Sequence, residues 1–377
     1  NLIKIIGMMI IPISILFLYL DGYLNGLRKF RQEALIKILY SILKLILVLL
    51  FISFGLGILG ALLGILTSII ISLIIVIILI KLNTFEAKSY FSKKKIMFFA
   101  IPIIGSSLGL ILMRNIDTIM IKSILGDNIS VGLYTSALNI SNIPYVVFSS
   151  LTLTLLPTIS KSTSMGDEVL TRKYINQSMR YLLLLLMPIT ALIAATSRNL
   201  IIFIYSADFV GAGEILSILI FSTTFLVIFL TLISVILGSG RPNIYMALTI
   251  IGTIILVILA GYFIPIYGIK GAAIASLISS AISLILSSIY VFSKFKALIN
   301  IGSFVRIVLA SSLIYVILVL IEPSGFALLI AYALLSILYL ILLLILREIK
   351  NEDINLIRTV FQEIHNVFLK FKTTIIK

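Results

Sequence analysis

Two charged side chains inside an apolar run offer the sharpest chemistry in this chain. Arg114 and Asp117 stand three residues apart in the stretch 97–121, so a helix places both on one face. Two arrangements follow. They neutralise each other near one end of the helix, or they act separately. In the second case Arg114 attracts an anion and Asp117 holds a proton or a small cation. Lys44 lies mid-way through the run 36–56, beside Tyr40 and Ser41. A lysine there faces a cavity or snorkels to an interface, and its depth favours the cavity. Arg180 opens the run 177–197 and reads as an interfacial anchor or a further cavity cation. Asn139, Ser141 and Asn142 make a polar patch in 131–156 that suits sugar hydroxyls or a neighbouring helix equally well.

Catalytic chemistry has little material. The chain has no cysteine, and its one histidine, His365, lies in the tail. A disulfide, a thiolate metal site and a cysteine nucleophile are therefore excluded. No GxxxxGK[ST] motif occurs, so a P-loop is absent. The acids of one set of connections, Asp127, Asp208, Glu214 and Glu322, are scattered rather than clustered. A glycosyltransferase or polymerase would need a carboxylate cluster, often with a metal. The chain is therefore expected not to be an enzyme and to carry no cofactor.

The elements that must position these residues are membrane spans. The 377 residues are 61% hydrophobic and 11% charged, with a mean hydropathy of +1.26, against roughly 25% charged in soluble proteins. Runs of about 20 apolar residues fall at 2–20, 36–56, 58–80, 97–121, 131–156, 177–197, 215–237, 243–265, 270–293, 303–321 and 325–346. As one helix, 45–80 would rise roughly 54 Å, beyond a ~30 Å hydrocarbon core. Gly55, Gly57 and Gly60 therefore mark a break and a hairpin. Alternate connections carry fifteen lysines and arginines against three, Lys122, Arg198 and Lys270. The basic set is expected to be cytoplasmic, which puts the tail inside. The net charge of +15 is accordingly assigned to anionic lipid and not to nucleic acid.

An internal repeat organises the spans. GILGALLGILTSIIISLI (57–74) returns 211 positions later as GIKGAAIASLISSAISLI (268–285), with ten of eighteen positions identical. The copies lie six spans apart, so both cross in one direction. A parallel repeat of this kind implies two six-helix bundles with a substrate site between them. Residues 1–80 read as the remaining part of the first bundle, 81–95 as a basic linker and 96–293 as the second bundle. Residues 303–346 add two further spans. Fourteen spans are expected, eleven of them in this sequence. The shift of 211 places the first bundle's start about 115 residues before Asn1, room for roughly three spans. In the tail, 351–377, Ile357, Val360, Phe361, Ile364, Val367, Phe368 and Phe371 fall at helical spacing. They predict an amphipathic helix on the cytoplasmic face, or else a frayed end.

Four stretches carry a family resemblance. VGLYTSALNISNIPYVVFSSLTLTLLPTISK (131–161) resembles the eighth span of polysaccharide-export flippases. GSGRPNIY (238–245) is similar to their turn between spans ten and eleven. IPIYGIKGAAIASLIS (264–279) is similar to the turn into span twelve, and RNIDTIMI (114–121) completes the set. Together they resemble Wzx-type flippases of lipid-linked oligosaccharides. These belong to the MOP superfamily with the MATE drug exporters and the lipid II flippases. The resemblance implies an all-α, multi-pass protein of the cytoplasmic membrane that carries a polyprenyl-pyrophosphate glycan across by alternating access. Lys44, Arg114, Asn139, Asn142 and Arg180 would line its cavity. Asp117, matching an acid of the relatives' cation site by position, would couple transport to H+ or Na+. The segment 243–265 contains no acid, a departure that weighs against sodium. The two extra spans would form a groove for the lipid tail. A monomeric transport unit is expected, with membrane lipids around it and glycan polymerase or transferase machinery as partner. The alternative is a MATE-like, cation-coupled multidrug antiporter, which would prefer an acidic cavity.

Overall fold

The computed structural model describes residues 2–26, 29–81 and 93–349. Twelve α-helices carry these residues: α1 Leu2–Gly26, α2 Phe30–Phe51, α3 Gly57–Lys81, α4 Lys93–Leu125, α5 Asn128–Ser141, α6 Ile143–Ser164, α7 Glu168–Ala195, α8 Ser197–Ile204, α9 Ala212–Gly238, α10 Pro242–Phe295, α11 Ile301–Ile321 and α12 Ala327–Ile345. There is no strand among the described residues. In a bilayer that is the economical solution, because a helix satisfies its backbone groups internally where water cannot. Among the described residues, seven stretches are long and apolar enough to cross a membrane. Two of them, Gln32–Ile78 and Pro242–Phe295, each contain two segments separated by a glycine break. Large apolar side chains such as Ile258, Leu320 and Ile330 are exposed on the outer surface, as lipid contact requires. The amphipathic helix expected over 351–377 and most of the linker 81–95 lie outside the described residues.

The structure forms two compact units, Asn1–Phe91 and Ser92–Lys377. In the first, α3 packs on both α1 and α2, around Phe17, Leu24, Ile36, Ile69 and Val76. In the second, α9 is the central helix. It is apolar all round and buried along nearly its whole length, the pattern of a helix surrounded by others, and it packs against α5, α6, α7, α8 and α10.

The repeat is written into the backbone. Gly57 has φ 50 and ψ −127, and Gly268, 211 positions on, has φ 58 and ψ −139. Both lie where side chains are disfavoured, so each copy starts at a residue only glycine fits well. Three residues further the two copies again agree. A Cβ on Gly60 would stand 2.7 Å from the Phe51 carbonyl oxygen, and one on Gly271 2.1 Å from that of Phe263. Each glycine lets the two arms of its break come together. The break expected at Gly55–Gly60 is present as a short π-helical turn, Ile52–Leu56.

One expected span differs. The run 131–156 is two helices, α5 and α6, interrupted at Asn142. Pro144 sits in the first turn of α6, where its missing N–H and fixed φ suit a helix start rather than a helix interior.

Gly268→Ala should destabilise the protein by about 1–3 kcal/mol through backbone strain alone. Gly271→Ala should cost more, because the added methyl meets backbone. Gly261→Ala, whose Cβ would meet only Met120 at 3.7 Å, should be nearly neutral. Thermal unfolding of the three variants in detergent, followed by size-exclusion fluorescence, checks this order.

Candidate functional site

The site begins on α4, where Arg114 and Asp117 share a face. The two do not form an ion pair. Asp117 is 3% exposed, and its carboxylate is taken up by neighbouring donors. Tyr134 of α5 donates its hydroxyl at 2.5 Å. Ser276 of α10 donates at 3.2 Å, and the backbone N–H of Thr118 at 2.7 Å. A buried carboxylate is tolerated only when its lone pairs are filled in this way. It therefore ties three helices together.

The local sequence explains how each donor arrives. Asp127 caps α5, accepting from the N–H groups of Ile129 and Ser130, both at 2.9 Å. The Ile129 N–H, then the Ser130 hydroxyl and N–H, hold this exposed carboxyl below the usual carboxylate range. The cap starts α5 so that Tyr134, fully buried, reaches back to α4. On α10, Ser279 bonds the Gly252 carbonyl across the break at 2.8 Å. Thr253 bonds the Gly109 carbonyl of α4 at 2.9 Å. Small residues allow this approach, since a Cβ on Gly109 would stand 3.3 Å from Thr249.

Arg114 is left differently placed. Its guanidinium lies over the Tyr145 ring, 3.7 Å from the centroid, within cation–π range. Its Nε is buried without a hydrogen-bond partner. Arg114, Asp117 and Asn142 line one cavity with Ser222, Ser276 and Ser280. Its volume of about 30 Å³ holds a couple of waters, each needing roughly 10–15 Å³.

The structure thus brings together Arg114, Asp117 and Asn142 of the residues expected in the site. Asn139, one turn before Asn142, is exposed and does not line this cavity, since the cavity takes only the end of α5 at Leu138 and Asn142. Arg180 is also elsewhere. It lies within α7 and pairs with Glu348 at 2.7 Å, while also donating to the Glu348 carbonyl. Glu348 is 1% exposed and meets Arg306 of α11 at 3.4 Å as well. One buried carboxylate thereby draws Arg180 into a clasp joining α7, α11 and the end of α12. Lys44 belongs to the other unit, exposed on α2.

Tyr134, Ser276 and Ser280 were not among the residues expected from sequence. The repeat contained a signal for the serines. Ser276 and Ser280 replace Ile65 and Ile69 of the first copy, whereas Ser279 and Ser283 repeat Ser68 and Ser72, and all four of these are buried. The two serines found only in the second copy line the cavity beside Ser279, which both copies share. No comparable signal marks Tyr134, since a buried tyrosine is common in any core. Among the described residues no cluster of His, Asp or Glu could hold a metal ion.

The fold and this site can now be set beside known proteins. The family model described as Polysaccharide biosynthesis protein matches residues 1–163, and that described as MatE matches residues 102–263. The lipid II flippase MurJ, in an inward closed conformation, is similar over 92% of this chain and 74% of its own, with TM-score 0.74 and 21% identity. In fold, the chain is similar to this flippase. A MATE in complex with MaL6 is similar over 75% of this chain and 67% of its own, with TM-score 0.60 and 18% identity. An outward-facing multidrug resistance MATE transporter of the MOP superfamily is similar over 74% of this chain and 65% of its own, with TM-score 0.57 and 18% identity. No curated protein matches the chain. The chain thus has the multispanning, all-α fold of these membrane proteins.

Tyr134→Phe removes the shortest bond to Asp117 and should cost about 1–3 kcal/mol, the penalty of a buried group left short of a partner. Ser276→Ala, at the longer bond, should cost less. Glu348→Ala should cost more than either, about 3–5 kcal/mol, because it strands Arg180. Replacing Arg180 and Glu348 together with Met and Leu should recover most of that loss. Unfolding midpoints in detergent test all four statements.

Proposed function

We propose that this protein translocates a lipid-linked oligosaccharide, a polyprenyl-pyrophosphate glycan, across the cytoplasmic membrane by alternating access. The observation that carries the proposal is the unequal state of the two charges on α4. Asp117 has its carboxylate satisfied by Tyr134, Ser276 and Thr118, whereas Arg114 has a bare Nε in the same cavity. A cavity that offers a free cation and withholds its acid suits an anion. A pyrophosphate matches the forked donors of arginine, and Asn142 beside it suits sugar hydroxyls. A multidrug antiporter for cationic compounds needs the reverse.

The remaining parts fit this reading. An apolar cavity of about 370 Å³ lies between α7, α9 and α11, lined by Met187, Phe221, Phe225, Val308 and Val316 among others. It suits a prenyl chain that stays in the bilayer while the head group crosses. The clasp of Glu348 on Arg180 and Arg306 holds α11 against α7 and so keeps the walls of that cavity together. Asp117 is the coupling residue. A proton is the coupling species that needs fewest ligands, since the first half of α10 supplies no second carboxylate. The basic connections and the tail face the cytoplasm, where polymerase or transferase machinery hands over the glycan to a monomeric transport unit.

The test is flipping of a fluorescent lipid-pyrophosphate oligosaccharide in proteoliposomes of the full chain. Wild type should flip it. Arg114→Ala should lose activity by about tenfold or more, the worth of a charge-assisted hydrogen bond, with its unfolding midpoint preserved, and Arg114→Lys should recover part. Asp117→Asn should flip without responding to a pH gradient. Efflux of a cationic dye without flipping would reject the proposal in favour of drug export.

A further inference from the structure

At the basic ends of the helices a second polar cavity, of about 210 Å³, is enclosed by three connections. The turn between α6 and α7 brings Asp167, and the start of α7 brings Glu168. The turn between α9 and α10 brings Arg241, and the end of α10 brings Lys294. Two cations and two carboxylates thus face one space. None of them forms an ion pair with another among the described residues. Opposite charges set round a cavity and held apart leave their mutual attraction unspent, and an occupant with both charges can use it.

The cations are prepared unequally. Arg241 donates to the Tyr290 hydroxyl, with its guanidinium 5.9 Å from that ring. This fixes one arm and leaves four of the five donors of a guanidinium. Lys294 makes no hydrogen bond among the described residues. On the opposite side, one Asp167 oxygen caps the Leu170 N–H at 2.8 Å, while Glu168 has no side-chain partner among the described residues. The wall is firm, because Thr171 bonds Ser162 at 2.8 Å and Arg172 bonds the Phe295 carbonyl at 3.1 Å. From Phe295 an exposed apolar stripe runs along α10 through Phe292, Ile289 and Ile285, at the spacing of one helix face.

We propose that this cavity binds the phosphoethanolamine head group of a membrane phospholipid. The phosphate lies between Arg241 and Lys294, the ammonium against Glu168 and Asp167, and an acyl chain follows the stripe on α10. A primary ammonium donates three hydrogen bonds to the carboxylates, which a trimethylated head group cannot. An anionic head group satisfies the cations alone and leaves Glu168 facing like charge. The site is separate from the Arg114 cavity and stands whether or not that cavity carries a pyrophosphate.

Native mass spectrometry of the purified full chain tests this, with dioleoyl phosphatidylethanolamine, phosphatidylglycerol and phosphatidylcholine added in turn. Wild type should retain phosphatidylethanolamine about tenfold more tightly than either other lipid, the difference that one set of charge-assisted hydrogen bonds makes. Glu168→Gln should erase that preference, Lys294→Gln should weaken all three lipids, and Lys270→Gln, whose lysine pairs with Glu214 outside the cavity, should change nothing. Equal retention of the three lipids by wild type would overturn the proposal, as would a preference unaltered by Glu168→Gln. Displacement of the lipid by an equal concentration of soluble phosphoethanolamine would overturn its assignment to a membrane lipid.

Discussion

A bilayer supplies no water to satisfy a buried charge, and the hydrogen bonds around Asp117 follow from that constraint. The carboxylate lies within α4, so its partners must come from neighbouring helices. Tyr134 and Ser276 supply them. To do so, α5 must start at the Asp127 cap and the second half of α10 must enter beside α4. The glycine break at Gly268 provides that entry. One unmet charge thereby sets the relation of three helices, and it leaves Arg114 as the cavity's uncommitted group.

The same constraint acts at the other end of the unit with a different result. Glu348 is as deeply buried as Asp117, but among the described residues its carboxylate meets two arginines, Arg180 and Arg306, in place of a tyrosine and a serine. A carboxylate met by cations makes a clasp between helices. A carboxylate met by hydroxyls remains able to exchange a proton, because protonation costs it no ion pair. The two acids, similar in burial, thus differ in what they join: Glu348 holds the end of α12 to α7 and α11, and Asp117 joins α4 to α5 and α10.

Much of the fold was legible because the features that encode it are local. Positive φ at Gly57 and Gly268 follows from two glycines in matching contexts, and each span follows from an uninterrupted apolar run. The division of 131–156 into α5 and α6 was also written locally, in Pro144, yet the apolar run on either side masks it. The site was less legible, because its partners are distant in sequence. Asp117 meets Tyr134 and Ser276 across 17 and 159 positions. Arg180 meets Glu348 across 168. Charge alone marked Arg180 for the cavity, since an acid just beyond the last span gives no sign of which arginine it will draw. Where the two copies of the repeat differ, Ile65 against Ser276 and Ile69 against Ser280, the sequence did hold the information.

The central claim is that Arg114 presents its charge to an anionic lipid head group. Native mass spectrometry of the purified chain, incubated with an undecaprenyl pyrophosphate and with a cationic dye in competition, tests it most directly. The account predicts that wild type retains the lipid pyrophosphate and excludes the dye, and that Arg114→Ala loses the lipid while keeping its fold. Retention of the dye in place of the lipid, undiminished in Arg114→Ala, would contradict it.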